Sequence, residues 1–266
     1  MDAFRFAAAV LALAFCTGAS AQYPSKPIRW IVASTPGGAF DLITRALSPA
    51  MLQLLGQPVV IENRPGASGI VGVDSVAKAP PDGYTVLTAG NTQLSLVRFT
   101  HVNLPYDPQR DFAPVSLIGD LLSALFVHSS LNVSTVKELI DYAKRNPNKL
   151  NYGSAGIGHS FHLATELFKQ RTGTDLVHVP FKGTGPALQE LFVGRIEVMF
   201  YPPSTQLMSQ VAAGKLRIIG IETRVPHLAN VGTFAETGLA NFEIPGWVGS
   251  GAAGCHPARG RDADER

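Results

Sequence analysis

The sequence predicts an α/β protein of two similar lobes, each a mostly parallel sheet flanked by helices. Three observations carry this. A strand–glycine–helix unit opens at residue 27 and is written again from residue 149. Three glycine landmarks repeat in nearly one register: Gly37 and Gly156 are 119 residues apart, while Gly56 and Gly173, like Gly66 and Gly183, are 117 apart. The segments "WIVA", "VVI", "LVHV" and "RIIGI" are near-continuous apolar runs, the pattern of strands buried on both faces. Two α/β lobes are the economical arrangement of such elements.

Residues 1–21 are set aside before the fold is read. The stretch "MDAFRFAAAVLALAFCTGASA" has Arg5 in a short n-region, an apolar run from Phe6 to Cys16, and Ala19-Ser20-Ala21 as a small-residue cleavage site, which reads as a secretory signal peptide. That run is short for a bilayer core of about 30 Å. Bulky Phe15 also stands where lipid processing at Cys16 wants a small residue. The expected product is exported. Cys255 is then the only cysteine left, so neither an intrachain disulfide nor a cysteine metal site is expected.

The first copy runs β-α-β-α-β. "PIRWIVAS" (27–34) is its opening strand, followed by "TPGGAFD" and a helix from about residue 40 to 55, with Leu42, Ile43, Ala46, Leu47, Met51, Leu54 and Leu55 on one stripe. Gly56 ends that helix. "PVVIENRPG" gives a second strand, "ASGIVGVDSVAKAP" a second helix stopped by Pro80-Pro81, and "GYTVLTAG" a third strand. Between the copies, "APVSLIG" leads into another apolar strand and the helix "STVKELIDYAKRNP", with Ser134 as the expected cap. The second copy follows: strand and glycine loop in "KLNYGSAGIGHS", helix "FHLATELFKQRTG", strand "DLVHVPFKG", helix "TGPALQELFVG" and strand "RIEVMFYPP". A last strand, "KLRIIGIET" (215–223), stands on the far side of lobe two from "APVSLIG", and these two strands are expected to be the hinge crossings. The resulting boundaries are lobe one at 22–114, lobe two at 115–220, a return to lobe one at 221–248, and a tail from 249.

A net charge of +2 with 16% charged residues and no Lys/Arg cluster argues against nucleic acid, which needs a concentrated basic face. The slight basic excess suits small anions. Both glycine loops follow a first strand and open a helix, which gathers backbone N–H groups and the positive helix end at the carboxyl edge of a sheet. If two lobes face each other, two such loops can hold one ligand, with glycines 37, 38, 156 and 158 letting backbone approach it.

Other chemistries fit less well. Dinucleotide binding wants G-x-G-x-x-G, which neither loop supplies, although Glu62 stands where an acidic ribose ligand could. A phosphate loop lacks its Gly-Lys-Ser/Thr ending. A hydrolase wants G-x-S-x-G, and "GHSFH" has His162 in place of the last glycine. His159 and His162 are three residues apart at a helix start but have no evident third metal ligand. Ser160 reads as a helix cap or a hydrogen-bond donor to a ligand, and Asp41 as a first-turn acid steadying its helix. Of the aromatics near the loops, Trp30 and Phe161 read as core, while Phe40 and Tyr201 are candidates for cleft walls.

Taken together, "YPSKPIRWIVASTPGGAFD", "LGQPVVIENRPGASGIVG", "AKAPPDGYTVL", "LPYDPQRDFAPVSLI", "KLNYGSAGIGHSFHLATELFK", "VHVPFKGTGPALQELFVGRIEVMF" and "AGKLRIIGIETRVPHLANVGTFAETGL" resemble the Bug-type periplasmic receptors of tripartite tricarboxylate transporters, over about residues 23–247. The resemblance implies a two-lobed "Venus flytrap", the periplasmic-binding-protein fold joined by two hinge strands. It implies a monomer that closes on a small organic anion, often a carboxylate, and presents it to membrane permease subunits, with no catalysis, cofactor or metal. It also implies ligand contacts from Thr35, Pro36, Gly37, Gly38 and Asp41 in the first loop and from Ser154, Ala155, Gly156, Gly158, His159 and Ser160 in the second; Phe40 and Tyr201 join them as cleft walls.

The chain departs from that family in two places. Relatives often carry Phe-Asp-Asn where this chain has Phe200-Tyr201-Pro202, so an acid that could meet a ligand's amino group is absent and amino acids are disfavoured against plain or aromatic carboxylates. Relatives also continue past Trp247 with helices that complete lobe one, whereas here "VGSGAAGCHPARGRDADER" follows, with no Leu, Ile, Val or Phe from Gly249 on. The expectation is a disordered tail at 249–266, as a shifted reading frame would leave, and apolar surface exposed on lobe one. A naturally short variant is the alternative for the tail. For the whole chain, a degenerate receptor that no longer binds and an exported α/β hydrolase remain as rival readings.

Overall fold

Strand β1 (Ile28–Val32) shows how the first lobe is assembled. Ile31 packs with Ile70, Val73 and Val76 of helix α2 (Ile70–Ala77) in one apolar cluster, and its neighbour Val32 packs with Phe40 of helix α1 (Ala39–Leu55) in another. Successive side chains leave a strand on opposite faces, so an unbroken apolar run demands helices on both sides of the sheet. The computed structural model describes residues 23–254, so the leader read at residues 1–21 and the chain after Gly254 lie outside the described residues.

Strands β2 (Val59–Asn63) and β3 (Thr85–Gly90) flank β1, both parallel to it. Beyond β3 lies β10 (Trp247–Ala253), antiparallel to its neighbours, and then β4 (Phe112–Asp120), giving the order β2-β1-β3-β10-β4. Lobe two is built from β5 (Ala124–His128), β6 (Asn151–Ser154), β7 (Val177–Pro180), β8 (Val198–Tyr201) and β9 (Leu216–Ile221), in the order β7-β6-β8-β5-β9. Its one antiparallel member is β5. The internal repeat therefore extends to topology, with β1, β2 and β3 answering to β6, β7 and β8, β10 to β5, and β4 to β9. Helices α3 (Val97–Thr100), α4 (Val136–Arg145), α5 (Ser160–Thr172), α6 (Thr184–Phe192) and α7 (Thr205–Ala212) complete the set.

The structure corrects the sequence reading at four points. The segments "APVSLIG" and "KLRIIGIET" are edge strands β4 and β9, one in each sheet, and not the crossings. The crossings are residues 121–123, between β4 and β5, and the long segment from Glu222 to Gly246. That segment does not return at once to lobe one. Leu228, Phe234, Leu239, Phe242 and Ile244 are buried in the lobe-two core, where Phe168, Phe200, Phe234 and Phe242 meet with ring centroids 5.2 to 6.2 Å apart. Lobe two thus holds residues 124–244, with Phe234 and Phe242 of the late segment packed edge-on into the core that Phe168 and Phe200 form.

The third correction concerns the segment after Trp247, expected to be disordered from Gly249. Residues 249–253 instead belong to β10, hydrogen-bonded to β3 on one side and β4 on the other. A strand between two partners is held by main-chain bonds, and Gly249, Gly251 and Ala252 suit the tight packing there without supplying the apolar signal that marks most strands. Finally, α4 is capped by Thr135, not Ser134: its side chain accepts the Glu138 N–H at 3.1 Å, while Glu138 Oε2 accepts the Ser134 N–H at 2.6 Å. This is a variant of the capping box in which Glu138 reaches past the cap to the residue before it. Lobe one does present apolar surface, with Val115 and Leu117 on β4 62% and 63% exposed.

Candidate functional site

Loop one leaves β1 and turns into α1 through Ser34–Gly38. Its shape is set by Asp41, which is 3% exposed. The Asp41 carboxylate accepts the Gly37 N–H at 2.9 Å, the Arg45 guanidinium at 2.9 Å and the Asn63 amide at 2.9 Å. Burial would raise its pKa, but these bonds and the Arg45 charge outweigh that and hold the carboxyl below its usual value. Asp41 is therefore a brace for the loop, as its first-turn position suggested. The Gly38 N–H is also spent, on Thr35 O at 3.1 Å.

Loop two is likewise turned inward. The Gly156 N–H meets Ser154 Oγ at 3.2 Å, the His159 N–H meets Gly156 O at 3.2 Å, and the Gly158 N–H meets His162 Nδ1 at 3.2 Å. Ser154 Oγ lies 2.7 Å from His178 Nε2, the geometry of a nucleophile and its base. Yet Ser154 is fully buried and does not line the cavity described next, so this pair anchors the loop.

The glycines have a different use from the one expected. Built onto Gly38, a Cβ would lie 2.7 Å from Thr184 Oγ1 of lobe two, and on Gly158 it would lie 2.6 Å from Thr100 Oγ1 of lobe one. They let the lobes approach each other, more than they let a ligand approach the backbone. Among the described residues, four hydrogen bonds cross between the lobes: Ala39 N–H to Tyr201 Oη (2.7 Å), Gly185 N–H to Thr35 Oγ1 (3.0 Å), Ser160 N–H to Thr92 Oγ1 (3.1 Å) and Ser68 Oγ to Ile157 O (3.0 Å). The first three satisfy N–H groups in the first turns of α1, α6 and α5, which otherwise have no intrahelical partner. Each lobe thus caps helices of the other.

Between the lobes is a cavity. Of the residues expected at the site, Phe40, Ala155, His159, Ser160 and Tyr201 line it; Thr35, Pro36, Gly37, Gly38, Asp41, Ser154, Gly156 and Gly158 do not. Those eight shape the loops and the lobe contact behind the lining. Ser68, Asn91, Thr92, Gln93, Ser123 and Lys182 line the cavity without having been anticipated. Five of them follow the carboxyl ends of β2, β3 and β7, where an open α/β sheet binds its ligands, so that rule applied to every strand would have found them. Ser123, in a crossing, carries no such signal.

The lining is largely apolar, with neutral polar side chains set into it and Lys182 as its one charged residue, and it contains no Asp or Glu. His159 is buried, and burial first, then the neighbouring His162, push its pKa down to about 4. It is therefore neutral at pH 7. Its Nδ1 accepts the Phe161 N–H at 3.3 Å, which puts the ring proton on Nε2 and makes that atom a donor. The turn after β2 holds Ala67 and Ser68 at φ of 47° and 56°, a left-handed pair that is costly for residues with a Cβ. Buried Gln93 secures it, donating to Ser68 O at 2.7 Å.

Comparison with known proteins decides what kind of site this is. The family described as "Tripartite tricarboxylate transporter family receptor" matches residues 43–258. The chain belongs to that receptor family. It is 41% identical over 230 residues to a protein of Pseudomonas sp. (strain P51) encoded in a tcbD-tcbE intergenic region, covering 85% of this chain and 68% of the relative. It is 34% identical to the Bordetella pertussis protein BugT, covering 85% and 70%. Solved structures agree. A protein of R. palustris with adipate is 35% identical with a TM-score of 0.84, and the periplasmic binding protein BugD is 32% identical with 0.83, each covering 88% of this chain and 79% of the other. MatC from Rhodopseudomonas palustris with bound malate is 30% identical with 0.81, covering 87% and 79%. The two-lobed architecture of this receptor family is thus the one built here from two copies of one sheet. Among the described residues no cluster of three or more His, Cys, Asp or Glu side chains could hold a metal ion, and no helix is long and apolar enough to cross a membrane.

Proposed function

We propose that the chain is an extracytoplasmic receptor that captures a small organic carboxylate between its lobes and delivers it unchanged to the permease of a tripartite transporter. The observation that carries this is the interlobe cavity, a largely apolar pocket that holds neutral polar groups and one lysine and is free of Asp and Glu. An anion meets nothing repulsive there, whereas an ammonium group finds no counter-ion. Relatives solved with adipate and malate support a carboxylate, and the lack of any Asp or Glu in the lining supports plain acids over amino acids. The leader read at residues 1–21 supports the periplasm, and one chain contains both walls of the cavity, which supports action as a monomer.

Isothermal titration of the purified protein with adipate, malate, nicotinate, citrate and aspartate tests the reading. At least one non-amino acid carboxylate should bind with Kd on the order of micromolar or tighter. Saturation at 100-fold above Kd should then add about 2.7 kcal/mol of stability, visible as a thermal shift. Tight aspartate binding with no binding of the others would overturn the preference, and turnover of any of them would overturn the receptor reading itself.

A further inference from the structure

Ser123 sits in the first crossing, between β4 and β5, and lines the cavity at 1% exposure. Its backbone is fully used: the N–H donates to Glu222 Oε2 at 3.2 Å and the carbonyl accepts the Glu222 N–H at 2.9 Å. The hydroxyl is different. Among the described residues Ser123 Oγ has no hydrogen-bond partner, although it is buried. Buried hydroxyls are almost always paired, because water lost on burial must be replaced. Leu121 and Ile244, which line the cavity with it from the crossings, offer only apolar side chains.

Donors of a different kind stand on lobe two, where His159 and Ser160 open helix α5. The crossing residues and the start of α5 line the same cavity and come from separate segments of the chain. A ligand that touches both needs a polar group at each end.

Resting on the receptor reading above, we infer that Ser123 is a ligand-contacting, specificity-determining residue, and that the ligand carries a second oxygen function that pairs with its hydroxyl at the hinge. The class is an acid with an additional carboxylate, hydroxyl or carbonyl oxygen, rather than a simple monocarboxylate. With no partner inside the protein, the hydroxyl is available to a ligand oxygen at the hinge. That gives the substitution a signature no structural role produces.

The experiment compares wild type with Ser123→Ala. Both are titrated with adipate and with hexanoate, acids of equal length that differ in one terminal carboxylate, and Tm is measured without ligand. Loss of one hydrogen bond to a charged oxygen should weaken adipate about tenfold or more. Hexanoate should change less than about twofold, and the ligand-free Tm should hold or rise, as removal of an unpaired buried hydroxyl predicts. Equal losses for both acids, or no loss for adipate, overturn the inference. So does a lower ligand-free Tm, which would reveal a protein partner for the hydroxyl. If wild type binds neither of these acids but binds another carboxylate, the inference falls while the receptor reading stands; if it binds no carboxylate at all, the receptor reading falls first.

Discussion

His159 meets two demands with one ring: it caps α5 through Nδ1 and stands buried at the cavity wall. Both favour the neutral form. With a folded pKa of about 4 against 6.5 for an ordinary histidine, the unfolded chain binds more protons than the folded one between those pH values. Stability is therefore full above about pH 6.5 and falls as pH drops toward 4, by at most about 1.4 kcal/mol per pH unit from this residue. His178, also pushed down to about 4 by burial and then by His162, adds to the same slope. Glu222 works against it, since burial raises its pKa. His159→Asn isolates the first contribution, because asparagine keeps a capping acceptor and does not titrate. Urea unfolding between pH 4 and 7.5 should give the variant a visibly shallower decline than wild type. Parallel curves would mean that the ring is protonated in the folded protein and that its donor tautomer is misassigned.

At the scale of elements, the contact between lobes depends on the loop that joins β7 to α6. Gly183 there has φ of 138°, and a Cβ on it would lie 2.3 Å from Thr35 Cγ2 in lobe one. Gly173, which ends α5 at φ of 64°, would place a Cβ with nothing within 4 Å. Both substitutions to alanine strain the backbone by about 1 kcal/mol or more. Only Gly183→Ala also pushes the lobes apart. It should lower ligand affinity at least about tenfold, on the order of one lost cross-lobe packing contact, and widen the small-angle scattering profile. Gly173→Ala should lower Tm and leave affinity alone. Equal affinities for the two variants would show that the lobe contact does not control binding. The same loop shows what could be read in advance. The register of Gly66 with Gly183 exposed the repeat, because a turn that needs positive φ keeps its glycine in both copies. Strand β10 stayed hidden, since "VGSGAA" is held by main-chain pairing on both edges and shows no apolar periodicity. Ser134 reads as a cap because it precedes the helix, yet the cap is fixed by the spacing from Thr135 to Glu138.

For the whole molecule, the cavity is closed by chain segments far apart in sequence, and this limited what the sequence could say about the site. The two loops were legible because each is a local strand–glycine–helix signal; their actual work, bracing and lobe contact, was not, since Thr184 against Gly38 and Thr100 against Gly158 are meetings that only the folded chain makes. Ser123 and Glu222 were invisible for the same reason. Glu222 joins the two crossings: its carboxylate accepts the N–H of Ser123 at 3.2 Å and of Ile244 at 3.0 Å, while its own N–H donates to Ser123 O. One side chain thus sets the spacing of the segments about which the lobes turn. Glu222→Ala removes both acceptors and leaves two buried N–H groups unpaired, whereas Glu222→Gln keeps one carbonyl acceptor. A hydrogen bond to a charged group contributes about 1.5–3 kcal/mol. In a chain of this size each kcal/mol corresponds to roughly 2–4 °C, so the alanine variant should melt several degrees below wild type, with glutamine between them. If Glu222 only stabilises, scattering of the ligand-saturated protein will match wild type in both variants. If it sets the hinge, as the double acceptance implies, saturated Glu222→Ala will scatter as a broader ensemble and bind more weakly, and glutamine will again be intermediate.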